Sequence, residues 1–415
     1  MIQKQVDVLI IGAGPAGCVS AAYLHKKGMK IQVIEKSIFP RFVIGESLLP
    51  KSMEHFKEVD LFDCLDQQHF EKKFGARFIR NDETCLFDFS KKYTTGWDWT
   101  WQVPRADFDH VLTQELVKKG VPIAFNWAVT AVKFHHGKSA ITIQNQAGQT
   151  EEIQANYIID SSGYGRVLPR LLGLDKPSER PSYSSIFTHV EDLRKPEGEE
   201  GTLITFDILE QKVWLWVIPF SNGTTSLGFV GPTAFFESIE GSTEARFRAL
   251  LKLSKHYKDR FDSLEFKFAP VQIQNYTKAV SQLFGEGYVL TGNSSSFIDP
   301  VFSSGVAFAT ESGLLAAKLA YRQLSGENVN WQRDYANYIQ KGVAVFESYV
   351  NEWYTGNLQK LFFHRPENPE VKSKICAVLA GYVWDETNPF VKKHHRVIRT
   401  MAHVIDLEKA QNEVE

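Results

Sequence analysis

Residues 5–37, QVDVLIIGAGPAGCVSAAYLHKKGMKIQVIEKS, constrain the fold more than any other part of the chain. An apolar run typical of a buried strand leads into Gly12-Ala13-Gly14-Pro15-Ala16-Gly17. Helical spacing then continues to about residue 27, and a second strand pattern covers 30–34. Strand, glycines, helix and strand in register make a complete βαβ unit. The glycines permit a tight turn, close approach to a pyrophosphate and helix-to-strand packing. Glu35, at the end of the second strand, is placed for ribose hydroxyls, and an acid there favours an unphosphorylated ribose. Ala16 and Lys36 belong to the same candidate binding set. NAD and FAD both contain ADP, so this segment accepts either.

The remainder of the chain has the material for more than a nucleotide domain. With 415 residues, 43% apolar and 23% charged, it can bury a large core over two or three domains. A net charge of −2 argues against nucleic acid or an anionic membrane as partner. Cys18, Cys64, Cys85 and Cys376 lie far apart, which argues against a disulfide framework and, with no Cys/His clustering, against a metal site. With no basic-then-apolar leader and no membrane-length run, the expected compartment is the cytoplasm. His364, His394 and His395 lack metal spacing and read as surface.

Several polar segments punctuate the chain where a ligand would be held. Arg41, the loop Gly45-Glu46-Ser47-Leu48-Leu49-Pro50 and Arg105 in QVPRADFDHVL are candidates for phosphate or ribityl contacts, or else form ion pairs. A third strand pattern at 157–159 ends in Asp160-Ser161-Ser162-Gly163, followed by Arg166. Another, at 288–291, ends in Gly292-Asn293. FIDPVFSSGV then precedes a helical run, so Ser303 and Ser304 fall at a helix N-terminus beside Gly305 and Val306. Such a start is either an ordinary capped helix after a proline turn or a place where an anion or flavin oxygens dock on free amides. KVWLWVIPF reads as a strand buried on both faces, with Trp214, Trp216 and Ile218 on one and Val213, Leu215 and Val217 on the other. Pro219 ends it, and Asn222-Gly223 marks a hairpin turn.

The fingerprint with Glu35, GESLLP, VxRxxFD at 103–109, DSSG at 160–163 and GNSSSFIDP from Gly292 together resemble the FAD-dependent monooxygenase and halogenase superfamily over residues 5 to about 325. The resemblance implies an α/β (α+β mixed) fold. Its parts would be an FAD-binding Rossmann-like βαβ domain of the p-hydroxybenzoate hydroxylase type, an antiparallel β-sheet substrate domain and a helical C-terminal region. It implies FAD as cofactor, FADH2 in turnover, with Gly12, Gly14, Ala16, Gly17, Glu35, Lys36, Arg41, Ser47, Arg105, Asp160, Gly163, Gly292, Asn293, Pro300, Ser303, Ser304, Gly305 and Val306 around it. Asn293 stands where many relatives have Asp, so it offers a ribityl hydroxyl a hydrogen bond without a charge.

WxWxIP at Trp214, Trp216, Ile218 and Pro219, and FxxPxxSxG at Phe297, Pro300, Ser303 and Gly305, are similar to the patterns of flavin-dependent halogenases. That likeness implies a flavin C4a-hydroperoxide attacked by halide, with the halide against the amides of Ser304 and Gly305. It also implies a lysine that holds hypohalous acid or becomes an N-haloamine. In FEKKFGARF that lysine is Lys73, with Lys72 as the neighbouring alternative. Phe302 replaces the glutamate of indole-chlorinating members, which points to a phenol/pyrrole type and a phenolic or polyketide-like substrate, free or tethered to a carrier protein. A separate NAD(P)H-dependent flavin reductase is the implied partner. Open alternatives are an aromatic hydroxylase, a geranylgeranyl-reductase-like flavoprotein and a non-catalytic flavin-binding protein.

The expected organisation is a discontinuous FAD domain (1–76, 102–180, 272–330), an antiparallel sheet domain (77–101, 181–271) and a helical region (331–415). The substrate pocket is expected between the sheet and the FAD domain. WDWTW at 97–101 either lines that pocket or packs in the core, and HRPENPEVK reads as a loop.

Overall fold

The computed structural model describes residues 2–176, 182–274, 279–296 and 299–412. The chain divides into two compact units. The first comprises Met1–His69, Pro104–Ser178 and Thr277–Lys341; the second comprises Phe70–Val103, Glu179–Tyr276 and Gly342–Glu415. The division assigns 331–341 to the first unit and the later helices to the second, whereas the sequence reading set 331–415 apart. The expected boundary at 180/181 lies outside the described residues.

In the first unit the strands Tyr288–Leu290, Thr150–Asp160, Gln5–Ile11, Ile31–Glu35 and Ile123–Phe125 lie side by side and parallel. Val8, Leu9, Ile10, Val33 and Ile34 are buried, because a parallel sheet covered on both faces needs unbroken apolar runs. Ile11 pairs with Asp160 and with Ile34, and Asp160 pairs with Leu290. The segments that follow these strands therefore leave the sheet at one carboxyl edge, where ligands of such sheets bind. The helices Pro15–Lys26 and Gly305–Leu324 pack closely at Gly313, where a Cβ would fall 2.6 Å from the Ala16 carbonyl oxygen. Ser20 Oγ fastens the crossing, reaching the carbonyls of Ala16 (2.8 Å) and Gly313 (2.9 Å).

The second unit is built on seven strands in the order Val271–Gln274, Tyr183–Glu191, Thr224–Pro232, Val213–Pro219, Ile204–Glu210, Gly75–Arg80, Glu83–Asp88. The expected all-antiparallel sheet needs one correction, since Gly75–Arg80 and Ile204–Glu210 pair in parallel. The long excursion of the chain through the first unit separates these strands, and a parallel neighbour needs such a crossover. A second correction concerns 97–101: Thr100–Gln102 leaves this sheet and pairs with Glu71–Lys73 as a separate two-stranded ribbon. Leu215, Val217, Leu227 and Phe229 pack on the helix Thr243–Leu253 through Phe247, Leu250 and Leu251. Elsewhere in the unit, Phe78 stacks on Phe206 at 4.6 Å and meets Trp353 and Phe362 from the C-terminal helices.

Those helices are Asn337–Tyr354, Asn357–Phe363, Pro369–Leu379, Pro389–Lys392 and His394–Asn412. HRPENPEVK is not all loop. Asn368 Oδ1 accepts from the amides of Glu370 and Val371 and starts a helix at Pro369. His364 and His394 are half-buried, contrary to the surface expectation, while His395 is exposed. Among the described residues no helix is long and apolar enough to cross a membrane.

Candidate functional site

At the carboxyl edge of the first unit, Gly12 has φ of 97° and a Cβ there would fall 2.6 Å from the Ser161 carbonyl oxygen. A Cβ on Gly17 would overlap the Gly12 carbonyl oxygen at 2.0 Å. Both positions therefore require glycine. Gly14 starts the helix Pro15–Lys26 with no side-chain cap, which leaves the first amides open to a phosphate. The Glu35 carboxylate accepts from the amides of Ala13 (2.9 Å) and Ser37 (2.8 Å). It pins the glycine turn and keeps further lone pairs for a ribose. Lys36 beside it is exposed.

The arginines divide in role. Asp109 is fully buried; Arg105 grips it with Nε at 2.8 Å and Nη2 at 3.0 Å, and Arg41 Nη1 reaches it at 3.0 Å. Arg105 Nη1 also donates to the Gly45 carbonyl at 3.1 Å. Of the two readings of Arg105, the ion pair is the one seen: its fork grips Asp109, because a buried guanidinium needs a carboxylate. Arg41 Nη2 lies 3.8 Å from where a Gly14 Cβ would be, so Arg41 stands at the phosphate cradle. Ser47 is buried in the adjoining loop. The sequence signals for Asp109 were its place at the end of VxRxxFD and its position four residues after Arg105 on the helix Arg105–Lys118.

Asp160 is buried at the same carboxyl edge and ties two loops together. Its carboxylate accepts from the amides of Ser162 (2.9 Å) and Leu168 (2.7 Å), and its carbonyl from Ser294 Oγ at 2.6 Å and Thr291 Oγ1 at 3.1 Å. Burial pushes its carboxyl pKa up. Asp160 thus joins the Gly163 loop to the turn Gly292–Ser294. Gly292 has φ of 53°, and its amide donates to Ser312 Oγ at 2.9 Å. The Asn293 carbonyl accepts from Arg166 at 3.0 Å.

In the proline segment Phe297 lies outside the described residues. Asp299 accepts from the Val301 amide at 3.0 Å and sets the turn Pro300–Phe302, in which Phe302 is buried. Ser303 is left-handed, with φ of 56°. Ser304 precedes the helix Gly305–Leu324, but its hydroxyl does not cap it. This corrects the expectation of serine capping: at φ −72° and ψ −16° Ser304 is already helical, not extended as a capping hydroxyl requires. The Phe308 amide bonds to the Ser304 carbonyl at 2.9 Å, so the amides of Gly305, Val306 and Ala307 precede the ladder. Gly305 is exposed, and among the described residues, its chain neighbours and its own helix aside, no atom lies within 4 Å of where its Cβ would be. An open helix start with space above it fits a flavin edge or an anion.

Sequence reading missed the cluster that anchors this helix. Buried His55 contacts Thr310 Oγ1 and Glu311 Oε2, each at 2.7 Å, and Tyr338 donates to Glu311 Oε1 at 2.8 Å. Burial opposes ionisation of Glu311, but the hydrogen bond and charge of His55 prevail and hold its carboxyl at about 2. No local pattern connects residues so far apart in the chain.

In the second unit, the ribbon Glu71–Lys73 with Thr100–Gln102 separates the two lysines. Successive side chains on a strand face opposite ways. Lys72 is exposed with Nζ 4.6 Å from the Trp99 ring centre, while Lys73 is 1% exposed with Nζ 5.4 Å from that of Phe89. Burial lowers the Lys73 amine from 10.5 to about 7. Gln102 Nε2, on the same ribbon, donates to the Pro219 carbonyl at 2.9 Å and so ties it to the end of the WLWVIP strand. Trp214, Trp216, Ile218 and Pro219 are all buried. Trp214 Nε1 donates to Tyr354 Oη at 3.3 Å and Trp216 Nε1 to Ser226 Oγ at 3.0 Å. Trp97 and Trp99 are half-buried, and Trp101 is fully buried.

Gly228, opposite Trp216 across the strand pair, supports the indole: a Cβ there would meet the ring at 2.1 Å. Gly228→Ala is expected to cost about 1–3 kcal/mol by overpacking and to shift the near-ultraviolet tryptophan signal. A variant with unchanged stability and spectrum would contradict this packing.

Residues 5–320 match the model of the FAD binding domain. The chain belongs to the FAD-binding domain family. This flavoprotein is 28% identical to a 1H-pyrrole-2-carbonyl-[peptidyl-carrier protein] brominase of Pseudoalteromonas luteoviolacea, over 92% of this chain and 93% of the relative. It is 25% identical to the corresponding chlorinase of Pseudomonas fluorescens, over 92% and 91%. Among solved structures, a flavoprotein/dehydrogenase from Cytophaga hutchinsonii shares 49% identity with a TM-score of 0.96, over 98% of this chain and 100% of that one. The flavin-dependent brominase Bmp2, at 24% identity and a TM-score of 0.84, covers 97% of this chain and 100% of its own and shares the fold. The flavoprotein is an FAD-dependent oxidoreductase of the halogenase and monooxygenase superfamily.

Proposed function

We propose that the flavoprotein halogenates an electron-rich aromatic substrate, phenolic, pyrrolic or polyketide-like, as one component of a pair whose other member is an NAD(P)H-dependent flavin reductase. The observation that carries this reading is Lys73, a fully buried amine whose pKa of about 7 leaves a large share of it uncharged near neutral pH. The pyrrole-halogenating relatives support it and favour a substrate tethered as a thioester to a carrier protein.

Bound reduced FAD would supply, with dioxygen, the two-electron oxidation of halide to hypohalous acid. Gly12, Gly14, Gly17 and Arg41 would hold its phosphates, and Glu35 its ribose. The open amides at Gly305 and Val306 would hold the flavin edge or the halide. The neutral Lys73 amine attacks the halogen of hypohalous acid, forming an N–halogen bond and releasing water. The aromatic carbon then takes the halogen as the N–halogen bond breaks, the ring loses its proton, and the amine is regenerated. In its charged form Lys73 instead donates a hydrogen bond to the acid's oxygen and orients it.

The test combines the protein with FAD, a flavin reductase, NADH, oxygen and bromide, and analyses a phenol and pyrrole panel by mass spectrometry. Brominated product that appears only with bromide is the expected result. Hydroxylated product without halide, and no bromination with it, would sink the proposal in favour of a hydroxylase. The likeness to the 49% identical flavoprotein/dehydrogenase of Cytophaga hutchinsonii favours a second reading, a dehydrogenase. Substrate oxidation that reduces the flavin without oxygen or halide would establish that one.

A further inference from the structure

The chain carries a net charge of −2, yet between Pro389 and Ile405 it has four Lys or Arg residues and no carboxylate. Lys392, Lys393, His395, Arg396, Arg399 and His403 are all exposed. On the helix His394–Asn412, Arg396, Arg399 and His403 recur three and four apart and so share a face. Ile398, Ala402 and Ile405 bury the other side. The basic face is also held in place. Arg399 Nε donates to the fully buried Glu352 at 2.6 Å while its side chain stays 64% exposed.

This face connects to Lys73 through packed elements of the same unit. Asn388 caps the short helix Pro389–Lys392 by accepting from the Phe390 amide, and its Nδ2 donates to the Lys374 carbonyl on the helix Pro369–Leu379. From that helix Cys376 Sγ donates to the Asp88 carbonyl, and the Ser373 carbonyl accepts from the Tyr93 amide. Asp88 precedes Phe89, the ring over which the Lys73 amine sits.

We propose that this basic face docks an acidic carrier protein whose thioester arm presents the aromatic substrate, an inference that rests on the tethered-substrate reading above. A run of exposed positive charge without a carboxylate, on a chain that is slightly acidic as a whole, complements an acidic partner and steers its encounter.

The triple variant K392E/K393E/R396E tests it in the holoenzyme. The probe is a peptidyl carrier protein charged with a pyrrole-2-carbonyl thioester, set against the same acyl group on free pantetheine. The expected result is a KM for the carrier-bound form raised roughly tenfold or more with kcat retained, and an unchanged KM for the pantetheine thioester. The glutamine triple variant should fall between, and added salt should raise the wild-type KM far more than that of the variants. Carrier affinity is also titrated directly by fluorescence anisotropy. Failure of halogenation in the wild type would then count against the proposed function alone, while a tenfold loss of carrier affinity in the variant would still support docking. Equal KM and equal affinity in wild type and variant would overturn the docking surface. It would equally be overturned if the substitutions abolished binding to DNA or anionic vesicles and left carrier affinity intact.

Discussion

Replacing Lys73 by Met is expected to abolish halogenation and, below neutral pH, to make the protein more stable. A thioether consumes hypohalous acid by becoming a sulfoxide and releasing halide, and hands no halogen to the ring, so product formation should fall roughly 10³-fold or more while flavin oxidation continues. The stability effect follows from burial. The folded chain releases the Lys73 proton at about 7, whereas the ordinary value, which applies to the unfolded chain, is 10.5. Between these values the unfolded state binds more protons, so stability rises with pH. The cost of burying the charge is fully present below about pH 7, declines above it and is gone above about 10.5. That interval corresponds to at most roughly 5 kcal/mol, at about 1.4 kcal/mol per pH unit.

Denaturant melts at pH 6 and pH 9 should therefore show a larger advantage for the Met variant at pH 6. Wild-type halogenation should rise through pH 7 as the amine becomes neutral. Lys73→Arg keeps a charge at every accessible pH and should be inactive without being stabilised. Undiminished halogenation by Lys73→Met, or the same stability difference at both pH values, would rule out this role for the buried amine.

Gly305→Val should leave the fold intact and impair ligand binding. Among the described residues, its chain neighbours and its own helix aside, no atom stands within 4 Å of the new Cβ, and glycine is a poor helix former, so stability should change by less than about 1 kcal/mol. The added side chain occupies the space above the open amides. Flavin affinity, the bromide KM, or both should worsen by roughly 10–100-fold, a loss of about 1.4–2.8 kcal/mol. Flavin fluorescence titration, bromide kinetics and thermal melts separate the two effects. Wild-type affinity for both ligands would show that neither uses this helix start. Gly12 and Gly17 behave differently, because a Cβ there meets backbone at 2.6 Å and 2.0 Å, so substitution damages the fold itself.

Much of the nucleotide end was legible because its signals are contiguous. The glycine spacing, the apolar strands and Glu35 lie within one short stretch, and the structure forms them as the strands Gln5–Ile11 and Ile31–Glu35 around the helix Pro15–Lys26. WLWVIP was legible for the same reason. The bonding partners of Arg105 and Asp160 and the conformation of the serines before Gly305 were not legible, since each depended on a dihedral angle or a partner that the local pattern does not specify. Asp109 pairs with both Arg105 and Arg41, which are 4 and 68 residues away. Glu311 is held by His55, 256 residues away.

By itself the sequence determined the βαβ unit, the strand buried on both faces and the helix that begins near Gly305, because periodicity and glycine placement act between near neighbours. It ranked Lys73 ahead of Lys72 by resemblance alone, with no physical distinction between them. Only the tertiary structure decided that Lys73 is dehydrated, that the Arg105 fork is occupied and that the helix start at Gly305 stays open. Desolvation, charge neutralisation and empty space are all made by residues remote in the chain that folding brings together.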